Sequence, residues 1–265
     1  MSELSVEALS VWAGGVRLVD GATFSARSGE LIAIIGPNGA GKSSLLRAVI
    51  GLGDTVSGTA LLDGVSLHDM RPRERAKAIA YLPQSHPLGW PIRVADAVAL
   101  GRFAHGSSHG VMSGRDQAAV HKAMVDCDLV GFAERPITSL SGGELARVHI
   151  ARVFASEASA LLVDEPVAAL DPYHALVVMQ LLRARADARA AVVAVLHDLA
   201  LAARFASRII GMRGGRICMD GTPAQVVTPE NIALLFDVEA SVDDRAGWPQ
   251  PTILSALTPE GGQRY

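Results

Sequence analysis

The 265-residue sequence has few of the features that would place a protein outside the cell or in a membrane. Its only cysteines, Cys127 and Cys218, lack metal-ligand spacing, which predicts two reduced thiols and no disulfide framework. No apolar run approaches the roughly 20 residues that cross a bilayer. The first residues also lack the basic segment followed by an apolar one that is typical of a signal peptide. We therefore expect a cytosolic protein.

Charge and size exclude further classes of protein. Lysine and arginine number 24 against 27 aspartates and glutamates, a formal net charge of -3, which gives no general electrostatic reason to bind nucleic acid. Aromatic residues make up only 5% of the chain, and much of its 49% hydrophobic content is alanine. A chain of 265 residues can bury one substantial core with an inserted subdomain, but not two full nucleotide-binding domains.

A glycine-rich segment gives the strongest chemical signal. It fits the phosphate-loop pattern of two glycines separated by four residues and followed by Lys and Ser, and it consists of Gly36, Pro37, Asn38, Gly39, Ala40, Gly41, Lys42 and Ser43. The apolar run 31–35 before it predicts a buried strand, and a helical pattern beginning at Ser44 follows it. The glycines allow backbone N–H groups to face phosphate oxygens, and the helix N-terminus adds partial positive charge. The segment predicts binding of a nucleoside triphosphate, with Lys42 reaching the β- and γ-phosphates and Ser43 ligating Mg²⁺.

Alternating strand and helix patterns predict an α/β fold with a mostly parallel, helix-covered sheet. The first thirty residues instead show short β segments around a turn at Gly21, which predicts an antiparallel lip. Residues 85–156 lose the strand pattern and predict an inserted helical subdomain. Residues 1–84 and 157–220 then form the core, and 221–265 form C-terminal helices and a tail. Thr222 and Thr228, each followed by proline, predict the starts of two of those helices.

Two adjacent acids follow the apolar run 160–163. Asp164 lies at the C-terminal end of a predicted strand beside the phosphate loop, where a carboxylate associated with Mg²⁺ is expected. Glu165 would face the γ-phosphate and could polarise the attacking water as general base. Taken alone, Glu165 is equally well an ordinary acid at a strand end.

The segment Leu-Ser-Gly-Gly-Glu, residues 140–144, follows the predicted helical subdomain and opens a helix predicted over Leu145 to Ala155. Ser141 has the chemistry of an N-cap, and glycines in the first turn expose N–H groups that could contact an anion. In isolation the segment predicts no more than a capped helix. Its position between the Gly-Lys-Ser loop and the Asp-Glu pair is more specific than any of the three segments alone.

In this order and spacing, the three segments resemble those of the nucleotide-binding subunits of ATP-binding cassette (ABC) transporters, over nearly the whole chain. The resemblance implies a P-loop, RecA-like ABC ATPase core with an antiparallel β lip and an inserted helical subdomain. It implies that Gln84 senses Mg²⁺ and the transmembrane partner, and that Asp171 belongs to the loop that communicates between paired subunits. It further implies that His197 contacts the γ-phosphate and holds Glu165 and water in place. A lone histidine at a strand end would otherwise be a structural hydrogen bonder.

The same resemblance implies the ligands and partners. ATP would contact the phosphate loop, the adjoining Ser44, Asp171 and the signature segment, which consists of Ser141, Gly142, Gly143 and Glu144. Mg²⁺ would be held by Ser43, Gln84 and Asp164. Two subunits would pair head to tail, so that ATP lies between Lys42 of one and Ser141 and Gly143 of the other. This homodimer would attach to two transmembrane permease subunits at the cytoplasmic face of the bacterial inner membrane. A periplasmic solute-binding protein would serve it indirectly.

Three positions depart from the family pattern. The aromatic that stacks on adenine falls near Ala13, whereas the aromatic here is Trp12, which would point to the other side of a regular strand. Glu144 replaces a commoner Gln, and Ala168 replaces a frequent Ser. The last two lie outside the positions that grip phosphate, so we expect ATPase activity.

Two further segments indicate a subgroup. Residues 73–84 and 94–105 resemble the importers for iron-siderophores, haem and vitamin B12, with haem import favoured. Three alternatives remain open, namely a soluble ABC ATPase, such as one of iron-sulfur assembly, an importer ATPase for a different solute, and a purely structural nucleotide sensor. Glu165 and His197 argue against the sensor, and a turnover assay would decide. Copurification with a membrane permease would separate the importers from the soluble ATPase.

Overall fold

The computed structural model describes residues 2–53, 55–84, 91–106, 112–245 and 247–257. The strands are β1 (Glu3–Ala13), β2 (Val16–Arg27), β3 (Leu31–Ile35), β4 (Thr55–Leu62), β5 (Val65–Ser66), β6 (Ile79–Leu82), β7 (Ala160–Asp164), β8 (Ala191–Val195), β9 (Arg208–Arg213), β10 (Arg216–Gly221), β11 (Val238–Arg245) and β12 (Trp248–Ala256). The α-helices are α1 (Lys42–Val49), α2 (Pro72–Ala78), α3 (Val94–Ala99), α4 (Gly114–Asp126), α5 (Gly142–Ala155), α6 (Pro172–Asp187), α7 (Leu199–Phe205), α8 (Pro223–Val226) and α9 (Pro229–Phe236). Short 3-10 helices cover Leu100–His105, Val130–Phe132 and Ile137–Ser139.

A six-stranded sheet forms the centre of the molecule. Its strand order is β10-β9-β3-β8-β7-β6, and all neighbours run parallel except the edge pair β9 and β10. Strands β3, β7 and β8 are buried along their whole length, as expected of apolar runs in a parallel sheet covered on both faces. The carboxyl ends of these strands therefore meet at one edge. The α/β fold and mostly parallel sheet predicted from the sequence are confirmed.

Strand β3 contributes to two hydrophobic cores at once. Leu31, Ala33 and Ile35 face the core that includes the helices between residues 94 and 186. Ile32 and Ile34 face the core shared with α1 and the N-terminal strands. Because successive side chains of a strand point to opposite faces, this short strand is held from both sides.

A four-stranded antiparallel sheet, with the order β2-β1-β4-β5, forms the predicted lip. The predicted turn at Gly21 is wrong, because the two-residue loop between β1 and β2 is Gly14–Gly15. Gly21 lies within β2 instead. There its N–H donates to Ser10 Oγ at 2.8 Å, beside an irregularity in the pairing of the two strands.

The described parts of residues 94–155 consist mainly of helices, and a buried arginine connects them. The Arg102 side chain is only 1% exposed, and its guanidinium donates to Asp116 at 2.8 Å and to Glu157 at 2.9 Å. It also donates to the carbonyl of Ala155 at 2.9 Å, so it joins α4 to the end of α5. Residues 85–90 and 107–111 of the predicted helical subdomain lie outside the described residues.

The C-terminal part contains more structure than the sequence predicts. Helices α8 and α9 follow Thr222 and Thr228 as predicted. The prediction that only a tail follows is wrong, because β11 and β12 form an antiparallel hairpin. Pro249 and Pro251 lie in β12, and prolines weaken any prediction of a strand. Among the described residues, no helix is both long enough and apolar enough to span a bilayer.

Candidate functional site

The phosphate loop connects β3 to α1 and requires glycine at its two defining positions. A Cβ at Gly36 would lie 2.1 Å from the carbonyl oxygen of Met212, and one at Gly41 would lie 2.3 Å from that of Leu18. Both residues also have positive φ angles, of 150° and 94°. The pattern read from the sequence therefore corresponds to a backbone that larger residues could not adopt here.

Lys42, the first residue of α1, folds its side chain over this loop. Its Nζ donates to the carbonyl oxygens of Gly36 at 2.8 Å and Pro37 at 2.9 Å. Burial lowers the pKa of Lys42, and attraction to Glu165 and Asp164 opposes that shift. The ammonium group is thus a buried cation at the base of the loop, with acidic side chains near it.

The loop forms one wall of a cavity of about 580 Å³. The cavity is lined by Leu18, Asn38, Gly39, Ala40, Gly41, Lys42, Ser43, Ser44, Gln84, Glu165 and His197. Leu18 is the one large apolar side chain among these lining residues. Trp12 is not one of them, and its ring is instead covered by the guanidinium of Arg17, 5.3 Å from the ring centroid.

Asp164, at the carboxyl end of β7, is joined to the phosphate loop by a hydrogen bond. Ser43 Oγ donates to Asp164 Oδ1 at 2.9 Å, and the Tyr81 hydroxyl donates to Oδ2 at 3.3 Å. Asp164 is only 3% exposed, and burial raises its pKa, whereas the hydrogen bonds from Ser43 and Tyr81 oppose that shift. Hydroxyl and carboxylate oxygens are the ligands that Mg²⁺ prefers, so this pair fits the ion.

Glu165 is held by side chains from two neighbouring strand ends. Gln84 Nε2 donates to Glu165 Oε2 at 2.6 Å, and His197 Nε2 donates to Oε1 at 2.6 Å. Gln84 follows β6, Glu165 follows β7 and His197 follows β8, so the parallel topology brings the three residues together. Glu165 has a φ of 51°, an unusual conformation for a residue with a side chain. Both oxygens of one carboxylate therefore accept hydrogen bonds at the rim of the cavity.

The remaining predicted residues form a second group away from the cavity lining. Ser141 caps α5, where its N–H donates to Glu144 Oε2 at 2.7 Å and its Oγ accepts from the Glu144 N–H at 3.3 Å. The helix begins at Gly142 rather than at the predicted Leu145, because the two glycines form its first turn. Asp171 caps α6 in the same way, by accepting the N–H of His174 at 2.9 Å.

Sequence reasoning missed two residues of this site. Tyr81 is the third residue of β6, and the family pattern assigns a role only to Gln84, three residues later. Leu18 carries no sequence signal at all. It reaches the cavity because β2 passes beside the loop, with its carbonyl oxygen near Gly41.

Comparison with known proteins gives consistent results. The family model described as "ABC transporter" matches residues 19–168, more than half of the chain. The hemin import ATP-binding protein HmuV of Rhodococcus jostii is 42% identical over 88% of this chain and 79% of its own length. The cobalamin import ATP-binding protein BtuD of Halobacterium salinarum is 40% identical over 90% of this chain and 60% of its own length.

A solved structure of an inward-facing ABC transporter, assigned to the metal-chelate type, contains a similar chain. It is 25% identical, superposes with a TM-score of 0.81, and the match covers 97% of this chain and 98% of that one. The similarity therefore extends beyond the region matched by the family model and includes the C-terminal part of the chain.

Proposed function

The chain belongs to the ABC transporter family, and from that premise we propose that it is the ATP-hydrolysing subunit of an importer for a metal chelate, with haem as the first candidate cargo. ATPase activity follows from the family, and import follows from what the named relatives do. The observation that carries the proposal is the position of Glu165. Its carboxylate lies on the wall of the same cavity as Lys42 and Ser43, between donors from two other strand ends.

The phosphate loop and its neighbours would bind the triphosphate. Backbone N–H groups at the start of α1, with the ammonium of Lys42, provide positive charge toward the β- and γ-phosphates. Ser43 and Asp164 would hold Mg²⁺, with Gln84 nearby, and the ion would neutralise charge on the phosphates. Among the described residues there is no cluster of three or more His, Cys, Asp or Glu side chains that could hold a metal. Two protein oxygens suit Mg²⁺, which usually keeps phosphate and water ligands.

Glu165 is the proposed general base, and His197 would orient it. A water that gives its proton to Glu165 must approach a carboxylate oxygen, and both oxygens already accept hydrogen bonds from Gln84 and His197. Each carboxylate oxygen keeps a second lone pair, so the water can hydrogen-bond to Glu165 and give up its proton while both of these bonds persist. His197 would keep the carboxylate aimed at the γ-phosphate during this proton transfer.

We further propose that a second copy of the chain completes the site. Ser141, Gly142, Gly143, Glu144 and Asp171 do not line the cavity of their own chain. Ser141 and Gly142 are exposed at the N-terminus of α5, where the partial positive charge of the helix end favours an anion. A head-to-tail pair would bring this turn to the partner's nucleotide, so that ATP joins the two copies.

The proposal includes the partners and the location. The homodimer would bind two permease subunits at the cytoplasmic face of the inner membrane as a peripheral protein, and a periplasmic solute-binding protein would deliver the cargo. Residues 85–156 would act as a helical subdomain, residues 1–84 and 157–220 as the core, and residues 221–265 as a C-terminal appendage. No nucleic acid is proposed as a partner.

The identity of the cargo must be determined by experiment, because relatives named for hemin and for cobalamin are similar to this chain to nearly the same degree. The chain should be isolated from its native membranes with the permease that copurifies, and the complex placed in vesicles. ATP-dependent uptake of haem, with weak or no uptake of cobalamin, is the expected result. Uptake of cobalamin alone would replace haem as the cargo, and absence of any copurifying permease would favour a soluble ATPase.

A further inference from the structure

The N-terminal ends of α5 and α6 are joined by one side chain, that of His174. It lies in the first turn of α6, three residues after Asp171. Its imidazole faces α5 on one side and Asp171 on the other. No motif in the sequence singles out this histidine.

On the α5 side, the imidazole lies directly against the backbone of Gly143. A Cβ added at Gly143 would lie 1.9 Å from His174 Cδ2 and 2.1 Å from Cγ, so the ring fills the space that any side chain would need. Gly143 is buried, whereas its neighbours Ser141 and Gly142 are exposed. The imidazole thus packs against the buried side of the turn 141–143, and the opposite side of the turn stays exposed.

On the α6 side, two hydrogen bonds fix the same residue to Asp171. The imidazole Nδ1–H donates to Asp171 Oδ2 at 2.8 Å, and the backbone N–H of His174 donates to Oδ1 at 2.9 Å. These bonds lower the pKa of Asp171, so the carboxylate stays ionised and acceptor-only at neutral pH. The ring of Tyr173 meets the imidazole edge to face, with centroids 5.2 Å apart.

We propose that His174 is a positioning residue that locks the turn Ser141–Gly143 to Asp171, so that both meet the partner's nucleotide as one rigid surface. The inference rests on the shared site proposed above. It adds a residue that touches neither nucleotide nor metal and acts through Gly143 and Asp171. A turn without this support could still bind, but it would have to be ordered at each pairing event, which weakens association.

The test uses ATP-dependent pairing of the full chain in a Glu165→Gln background, where turnover is blocked. Three substitutions of His174 test its contact with Gly143 and its hydrogen bond to Asp171 separately. His174→Ala removes both contacts, His174→Phe keeps a flat ring against Gly143 without the Nδ1–H donor, and His174→Asn keeps a donor toward Asp171 without the ring. His121→Ala, which removes an exposed histidine of α4, is the matched control.

Pairing is measured by analytical ultracentrifugation over a range of protein concentrations at saturating ATP. We expect His174→Ala to weaken pairing on the order of tenfold, because misplacement of a contacting group is costly. The Phe and Asn variants should each lose less, and the control should pair as the parent does. Binding of a fluorescent ATP analogue to the monomer should be unchanged in all variants, which a general loss of structure would not allow.

Each other outcome has a defined meaning. If the His174→Ala variant pairs as tightly as the parent, His174 is not a positioning residue, and the proposal of a shared site is unaffected. If either the Phe or the Asn variant pairs as tightly as the parent, the contact that this variant lacks is not needed. The proposal that His174 acts through both Gly143 and Asp171 is then wrong. If the Glu165→Gln parent does not pair with ATP at all, the shared site itself fails.

Discussion

Replacing Glu165 with glutamine separates hydrolysis from every other property of the site. The change exchanges one carboxylate oxygen for an NH₂ group and keeps the shape of the side chain. His197 Nε2–H can still donate to the remaining oxygen. Gln84 now faces an NH₂ group, and it restores the hydrogen bond by turning its amide so that Oε1 accepts.

The expected magnitudes follow from these contacts. Two hydrogen bonds to a charged acceptor become two neutral ones, which changes the free energy of unfolding by less than about 2 kcal/mol. Loss of a general base lowers turnover by about 10²- to 10⁴-fold, equivalent to roughly 3 to 5 kcal/mol in the barrier. Hydrolysis should therefore fall far more than stability does.

Three measurements on the purified chain check this expectation. Phosphate release at saturating ATP and Mg²⁺ gives turnover, a thermal melt gives stability, and ultracentrifugation with ATP gives pairing. The variant should bind ATP, melt close to the parent and accumulate as a pair. Turnover within tenfold of the parent would refute the assignment of Glu165 as base.

Four further outcomes are expected. Lys42→Ala should weaken ATP binding roughly a hundredfold in a titration, because charge-assisted contacts to phosphate are lost, and unchanged binding would contradict the role of the loop. Leu18→Tyr should tighten ATP binding on the order of tenfold by offering an aromatic face to the base, while binding of tripolyphosphate, which has no base, stays the same. Arg102→Met should leave the buried Asp116 without its cation, although the Ser113 hydroxyl still donates to that carboxylate. We expect a cost of about 3 kcal/mol in the free energy of unfolding and a fall in Tm on the order of 10 °C in calorimetry, and a fall of less than about 2 °C would show that the ion pair contributes little. Burial lowers the pKa of His105, so its contribution to stability is present above pH of about 6.5 and is lost as pH falls through that value toward the folded-state pKa. His105→Gln should therefore flatten the decline in Tm between about pH 7 and 5.5, and an unchanged slope would contradict this.

Local patterns were enough to predict the parallel strands and the positions of most site residues. The strands β3, β7 and β8 are each five residues long and buried throughout, and apolar residues fill them apart from Asp164 at the end of β7, so little besides the apolar run defines them. The convergence of Gln84, Glu165 and His197 also follows from topology, since each comes after a strand of one parallel sheet. The functional roles of these residues stay predictions until the variants are measured.

Features that depend on distant parts of the chain could not be predicted. Leu18 reaches the cavity because β2 passes beside the phosphate loop, and no residue near Leu18 indicates this. His174 and Gly143 meet because two helices begin side by side, and neither helix encodes the other's position. The hairpin of β11 and β12 contains two prolines, so its pairing depends on the surrounding structure more than on strand propensity.

The burial of β3 on both faces of the sheet affects how the protein unfolds. Because β3, like β7 and β8, packs into both cores, neither core can unfold first without removing packing partners from the other. The chain should therefore unfold in a single cooperative step. The phosphate loop, which follows β3, would keep its conformation until that step and unfold together with the rest of the chain.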